Sequence, residues 1–241
     1  MPRVFIANHD RPPTVIEFFG LPGAGKTTVA NYLAEVLRER GYDVQTTADF
    51  VSWLSKQTKL KKLGFLVANL HGACHQLFWC MLFGIRLRPL KAISFSRIVR
   101  VPYINVCFER YLNTLDNAVV VMDQANMQLV WSIGAFSMRY DKVLLRRACK
   151  ATVRTHPHYF VCLIPNVVET SERLHARKSN DSRFDALRSV QLNRALGNAS
   201  RIVTDIRGFL DQEDRDLVDI DSTLAPEENA HRLASLLQES D

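Results

Sequence analysis

The sequence predicts an α/β fold, a parallel sheet with helices on both faces, from three observations. Short apolar runs recur between stretches of helical periodicity, the alternation that strand–helix–strand crossovers produce. The run Ala118-Val-Val-Val-Met122 is apolar without a break, as a strand buried on both faces requires. A glycine-rich turn sits directly between the first apolar run and the first helical one.

The elements follow in order. Residues 1–13 read as a flexible N-terminal arm ending in Pro12-Pro13. Thr14–Phe19 is the first strand. The next helix starts at Lys26, with Val29, Leu33, Val36 and Leu37 at helical spacing and Gly41 suited to the position just past its end. Tyr42–Ala48 alternates like a second strand and stops at Asp49. Residues 50–116 look helical, with breaks near Gly64, Gly84 and Pro89. After the Ala118–Met122 strand come helical stretches over about 124–138 and 141–152. The strand His158–Ile164 and a helix over Val167–Lys178 follow. A long helical stretch over 183–213 is expected to break near Gly197. Asp216–Ile220 closes the strands and Pro226–Leu237 the helices, with Pro226 in a first-turn position.

The chain has 241 residues; at roughly 150 residues per domain, and with no repeat or linker, residues 14–241 read as one domain. Within it, 63–116 is a helical insert and 167–185 a lid. Hydrophobic residues make up 47% and charged residues 23%, which excludes a disordered or collagen-like chain. The net charge of +6 favours anionic partners, but the basic residues do not interleave with aromatics as a nucleic-acid module requires, so none is expected. Five scattered cysteines without a CxxC pair suit free thiols in a reducing compartment. Asn8, His9, Asp10 and Arg11 stand where a secretory signal needs its apolar core, so the expected location is cytoplasmic.

Gly64–Ile85 is apolar enough to raise the question of a membrane span, yet it carries Asn69, His71, His75 and Gln76. A buried or partner-facing helix is the preferred reading, with contact at a membrane surface the lesser one. His71 and His75 are spaced i, i+4 but lack a third ligand, and read as packed core histidines rather than a zinc site.

The segment that carries chemistry is Gly20-Leu21-Pro22-Gly23-Ala24-Gly25-Lys26-Thr27, a G-x-x-x-x-G-K-[ST] match between a strand and a helix. The glycines let the backbone turn so that successive N–H groups point inward as an anion nest, to which the helix N-terminus adds partial positive charge. Lys26 is placed to neutralise nucleotide β- and γ-phosphates, and the Thr27 hydroxyl to ligate Mg²⁺. Thr28 adds a hydroxyl for the α-phosphate. Asp123, at the end of a buried strand, is assigned to Mg²⁺, with helix capping the alternative. Asp49, expected at the end of the second strand, is a candidate catalytic base or acceptor ligand; capping explains it equally.

Arg173 and Arg177 share a helix face, and Arg183 follows a short polar stretch. Guanidinium groups suit a phosphoryl in transfer, and a closing segment that bears them excludes water. The plain alternative is a solvated basic face. Arg97 and Arg100, three apart in the insert, are candidates to clamp an anionic acceptor, again against simple surface charge.

On Phe18-Phe-Gly-Leu-Pro-Gly-Ala-Gly-Lys-Thr-Thr28 and Val119-Val-Val-Met-Asp-Gln124, extended by Glu172-Arg-Leu-His-Ala-Arg177, Ser182-Arg-Phe-Asp185 and Val218-Asp-Ile-Asp-Ser222, the chain resembles the P-loop nucleoside and nucleotide kinases, especially the thymidylate kinase-like branch. The resemblance spans about residues 14–238. It implies a three-layer P-loop NTPase fold with a five-stranded parallel sheet, a helical insert and an arginine-bearing lid. It also implies transfer of the γ-phosphoryl of ATP to a nucleoside or nucleotide. Arg173, Arg177 and Arg183 would then meet phosphates, and Ser222–Ala225 would cradle the adenine. The chain departs from that pattern at Gln124, where such enzymes usually carry an acceptor-binding arginine, and at Ala48-Asp-Phe50, which offers no acceptor motif. Gln124 and Gln128 become candidate neutral contacts to a different small molecule.

The resulting expectation is an ATP- and Mg²⁺-dependent kinase of a small-molecule acceptor. The alternative is an ATP-binding regulatory or scaffold protein with little turnover, associated with a partner or a membrane surface. A GTPase ranks last, for want of an Asn-Lys-x-Asp motif. A homodimer is left open.

Overall fold

The structure, a computed structural model, describes residues 12–87, 92–153, 158–164, 166–176, 184–185, 187 and 189–239. Nearly all of the expected arm and the lid residues 177–183, with Arg177 and Arg183, lie outside these.

Five strands form one parallel sheet in the order β2-β3-β1-β4-β5: β1 (Thr14–Phe19), β2 (Val44–Thr46), β3 (Val119–Met122), β4 (His158–Ile164) and β5 (Leu217–Asp221). β1 is central, pairing Val15 with Val120 on one side and with His158 on the other. Val15 to Phe19 are all fully buried, so helices must cover both faces, the condition under which parallel sheets occur. The β1 residues feed two apolar clusters: Ile16, Phe18 and Phe19 join the larger, and Val15 joins a smaller one with Phe50, Phe108 and Tyr111.

The first helix, α1 (Lys26–Glu39), leaves directly from the glycine-rich turn. Then β2 proves shorter than the expected Tyr42–Ala48, and Asp49 does not end it. The Asp49 carboxylate reaches back to accept from the Thr46 backbone N–H at 2.8 Å and the Thr46 hydroxyl at 2.7 Å. This starts α2 (Thr47–Lys56) at once and makes Asp49 a helix-capping residue.

Three more helices precede β3: α3 (Lys59–Ala68), α4 (Leu70–Ile85) and α5 (Ala92–Leu112). The helical insert therefore begins at Thr47 rather than residue 63. No break occurs at Gly64, because one glycine costs an exposed helix only about 1 kcal/mol. The apolar stretch is instead divided at Asn69, whose φ of −119° and ψ of 29° interrupt the helix. Gly84 lies inside α4, where it lets Ile98 of α5 approach the α4 backbone closely.

Beyond β3 come α6 (Asn126–Gly134), α7 (Lys142–Thr152), α8 (Val167–Ala176), α9 (Ser189–Gln212) and α10 (Pro226–Glu239). The helix α9 runs unbroken through Gly197, again correcting a break expected from glycine alone. Among the described residues no helix is long and apolar enough to cross a membrane.

Candidate functional site

The turn after β1 opens at the carboxyl edge of the sheet, where β1 has β3 on one side and β4 on the other. Crevices at this edge are the usual ligand sites of parallel sheets. Gly20 has φ +150° and Gly25, the residue before α1, has φ +94°, conformations that side-chain-bearing residues rarely adopt. At Gly20 a Cβ would also come within 3.1 Å of the Leu163 carbonyl oxygen of β4, and at Gly23 within 3.2 Å of Leu174 on α8. The turn is thus held between the sheet and α8. Leu21 and Ala24 are buried beneath it.

Lys26 is nearly buried, and its Nζ donates to the carbonyl oxygens of Gly20 at 3.1 Å and Leu21 at 2.8 Å. The ammonium group is thereby held against the loop. The hydroxyl of Thr27 donates to Oδ2 of Asp123 at 2.6 Å. The other oxygen, Oδ1, accepts from the Thr47 hydroxyl at 2.7 Å, while the Asp123 N–H donates back to that hydroxyl at 3.2 Å. Thr47, the first residue of α2, was not apparent as a site residue, because nothing local in the sequence ties it to Asp123.

A cavity of about 650 Å³ is lined on one side by Pro22, Gly23, Gly25, Lys26, Thr27 and Thr28. Opposite stand Arg97 and Arg100 from α5, with Gln124 and Gln128. Leu129, Trp131, Ser132 and Phe184 complete its wall. Burial lowers the pKa of the half-buried Arg97, and the positive charge of Arg100 lowers it further. No carboxylate is among these lining residues. Gln128 also has a structural duty: its Oε1 accepts from the Gly20 N–H at 3.1 Å. Phe184 stacks against Trp131 with ring centroids 6.1 Å apart.

On the other side of the loop, a cavity of about 260 Å³ is lined by Gly23, Gly25, Thr28 and Val29 with Arg173, Ser222, Leu224, Pro226 and Asn229. Arg173 donates from Nη2 to the Ser222 carbonyl oxygen at 3.0 Å and pairs with Glu169. This joins α8 to the turn after β5. The guanidinium lies 3.9 Å from where a Cβ on Gly25 would stand. Arg173 thus stands beside the phosphate loop together with Ser222 and Leu224 of the turn after β5.

Of the two roles open to Asp49, the geometry shows the capping one, bonded to Thr46 as described above. One expectation fails. His71 and His75 are exposed on α4 rather than packed in a core, and His75 Nε2 accepts from the Trp79 indole N–H at 3.0 Å. No group of three metal-ligating side chains occurs among the described residues.

Sequence reasoning also missed a buried acid and base under the loop. Glu17 on β1 and His158 on β4 are both buried, with Oε2 and Nε2 3.2 Å apart, and Oε1 of Glu17 accepts from the Met127 N–H at the start of α6 at 2.5 Å.

No protein-family model and no curated protein matches the chain. Among solved structures it is similar to shikimate kinase from Acinetobacter baumannii in complex with shikimate, at 13% sequence identity and a TM-score of 0.48, over 97% of this chain and 96% of that one.

Proposed function

We propose that this protein is a phosphotransferase that uses Mg²⁺ and ATP to phosphorylate a small anionic acceptor, with a nucleotide the first candidate. The observation that carries the proposal is the single cavity in which the phosphate loop faces Arg97 and Arg100. Donor phosphate and acceptor can share that space, which phosphoryl transfer demands.

The donor set suits the groups it would hold. Glycines with positive φ let the loop bend tightly ahead of the α1 N-terminus, Lys26 supplies a positive charge, and the Thr27 hydroxyl and Asp123 carboxylate form a hard oxygen pair 2.6 Å apart. Bound there, Mg²⁺-ATP supplies the phosphoryl group and a metal counter-charge for it.

Lys26 exchanges the Gly20 and Leu21 carbonyl oxygens for phosphate oxygens, so its charge is spent where negative charge is greatest. Asp123 and Thr27 hold the metal, while Thr47 keeps the carboxylate oriented. Arg173, against Gly25, neutralises phosphate from the opposite side, and the pocket it shares with Ser222, Leu224 and Asn229 takes the adenine. Arg177 and Arg183 are proposed to act with it from the lid.

Arg97 and Arg100 favour an anionic acceptor for an electrostatic reason. Two guanidinium groups in a cavity with no carboxylate among its described lining residues are stabilised by a phosphate or carboxylate on the ligand. Gln124 and Gln128 add neutral hydrogen-bonding capacity, and Trp131 and Phe184 an apolar wall.

The test is transfer from γ-labelled ATP across nucleosides, nucleotides and anionic metabolites, with Lys26→Ala as the inactive control. Transfer to an anionic acceptor that is abolished in Lys26→Ala supports the reading. ATP binding without transfer to any acceptor would leave a nucleotide-binding regulatory protein instead. Preference for GTP would overturn the assignment of the donor.

A further inference from the structure

The charge of this chain is unevenly placed. Between Asp49 and Glu109 there is no acidic residue, while that interval holds nine lysines and arginines of the chain's 31. The remainder of the chain carries 22 basic against 25 acidic residues, so the whole positive excess arises in the helical insert.

The same insert exposes its apolar side chains. On α3, Leu60, Leu63 and Val67 are 81%, 57% and 64% exposed and fall at i, i+3 and i+7, one stripe of a helix. Nothing on α3 is fully buried. Lys59 and Lys61 fall on opposite flanks of that stripe, and both are exposed. On α4 the exposed residues Leu70, Cys74, Phe78, Met81 and Ile85 form a second stripe, spaced by four, four, three and four residues. Arg86 follows at its end, also exposed. Large apolar patches bordered by polar residues mark interaction sites.

We propose that the outer stripes of α3 and α4 dock on the surface of an anionic lipid bilayer. Charge selects this occupant. A second copy of the chain would bring two cationic inserts together without counter-charge, whereas anionic headgroups neutralise them. Shape agrees, because Leu60, Leu63 and Val67 project from a helix that buries none of its residues, and a ridge of this kind enters the headgroup–acyl boundary without a groove to receive it. Lysines at the edges of an apolar stripe can lay their stems along it and extend the ammonium groups into the headgroup layer. The helix α4 has 16 residues, and no described helix is long and apolar enough to cross a membrane, so the contact lies in the plane of the interface.

The experiment is flotation of the full-length protein with phosphatidylcholine vesicles, with and without phosphatidylserine, at low and high salt. Binding is expected only with phosphatidylserine, and it should weaken as salt screens it. Lys59→Glu and Lys61→Glu should each reduce the vesicle partition coefficient by at least about fivefold. Leu60→Asp with Leu63→Asp should abolish flotation while circular dichroism and nucleotide binding stay unchanged. An environment-sensitive dye on Cys74 of the otherwise unaltered chain should shift to the blue on the phosphatidylserine vesicles, which keeps the test decisive if the double variant fails to fold. Equal binding to both vesicle types, or none, overturns the proposal. So does a dimer in light scattering that Leu63→Asp disperses, which would assign the stripe to a second copy. Retention of an acidic protein in place of vesicle binding would likewise overturn it.

Discussion

The backbone N–H of Gly20 donates to Oε1 of Gln128 at 3.1 Å, a bond between residues 108 apart in sequence. Gln128 belongs to the first turn of α6, whose neighbouring Met127 N–H is held by Glu17 of β1. Two bonds thus join the root of the phosphate loop to one helix end. Gln128→Leu removes the acceptor from a buried amide, at a cost of about 1–3 kcal/mol. Nucleotide affinity should weaken and the acceptor KM should move less. Calorimetric titration with ATP alongside steady-state kinetics checks this. A change confined to the acceptor KM would instead make Gln128 a substrate contact.

Asp123 receives hydroxyl donors from Thr27 and Thr47 on opposite carboxylate oxygens. Asp123→Asn keeps the shape but removes the charge, and should lower Mg²⁺-dependent nucleotide affinity by about ten- to a hundred-fold. Binding measured in excess chelator should change little. Thr47→Val leaves the carboxylate in place and removes one of its donors, so the loss should be smaller and in the same direction. Titrations of each variant with and without Mg²⁺ distinguish a metal site from a purely structural bond, which would respond equally in both conditions.

What was legible in the sequence was local. Gly20 to Thr27 are contiguous, a turn that runs straight into α1, so their proposed role follows from chain geometry over eight residues, and β3 announced itself as an unbroken apolar run. The rest depends on distance. Arg97 shares a cavity with the loop only because the tertiary fold brings α5 there, and Glu17 meets His158 only through the register of β1 and β4. Asp49 carried two readings in the sequence, a catalytic or acceptor-binding carboxylate and a helix cap, and only the turn into α2, which ends β2 at Thr46, displays the cap. Glycine was also over-read as a helix breaker at positions 64 and 197, where the helix continues.

The cysteines give a test of the core. Cys80, Cys107, Cys149 and Cys162 are buried, whereas Cys74 is exposed. Burial pushes the Cys80 thiol up to about 12. Burial, then the nearby Asp219 charge, does the same for Cys162. A raised pKa means less thiolate at any given pH, and the thiolate is the reacting form. Native protein at pH 8 should therefore take up one equivalent of an alkylating reagent rapidly, at Cys74, and the other four only after unfolding. Peptide mapping by mass spectrometry reads the site, and rapid labelling of Cys162 or Cys80 would contradict the packing of β4 or α4.

The Glu17–His158 pair lies wholly inside the sheet, with the two side chains 0% and 4% exposed. Removing one partner takes a polar contact from a buried side chain, at a cost of about 1–3 kcal/mol. His158→Phe alone should shift the denaturant midpoint strongly downward. Glu17→Leu alone should do so too, and it also takes the acceptor from the Met127 N–H. The double variant should recover part of the loss, so that its destabilisation is smaller than the sum of the two single effects. Equilibrium unfolding of the four proteins measures the coupling. Because Glu17 also fixes the start of α6, and α6 fixes Gly20, the Glu17→Leu variants should lose nucleotide affinity even where His158→Phe does not. Additive destabilisation with unchanged nucleotide binding would show that the pair is mere filling, with no tie to the loop above it.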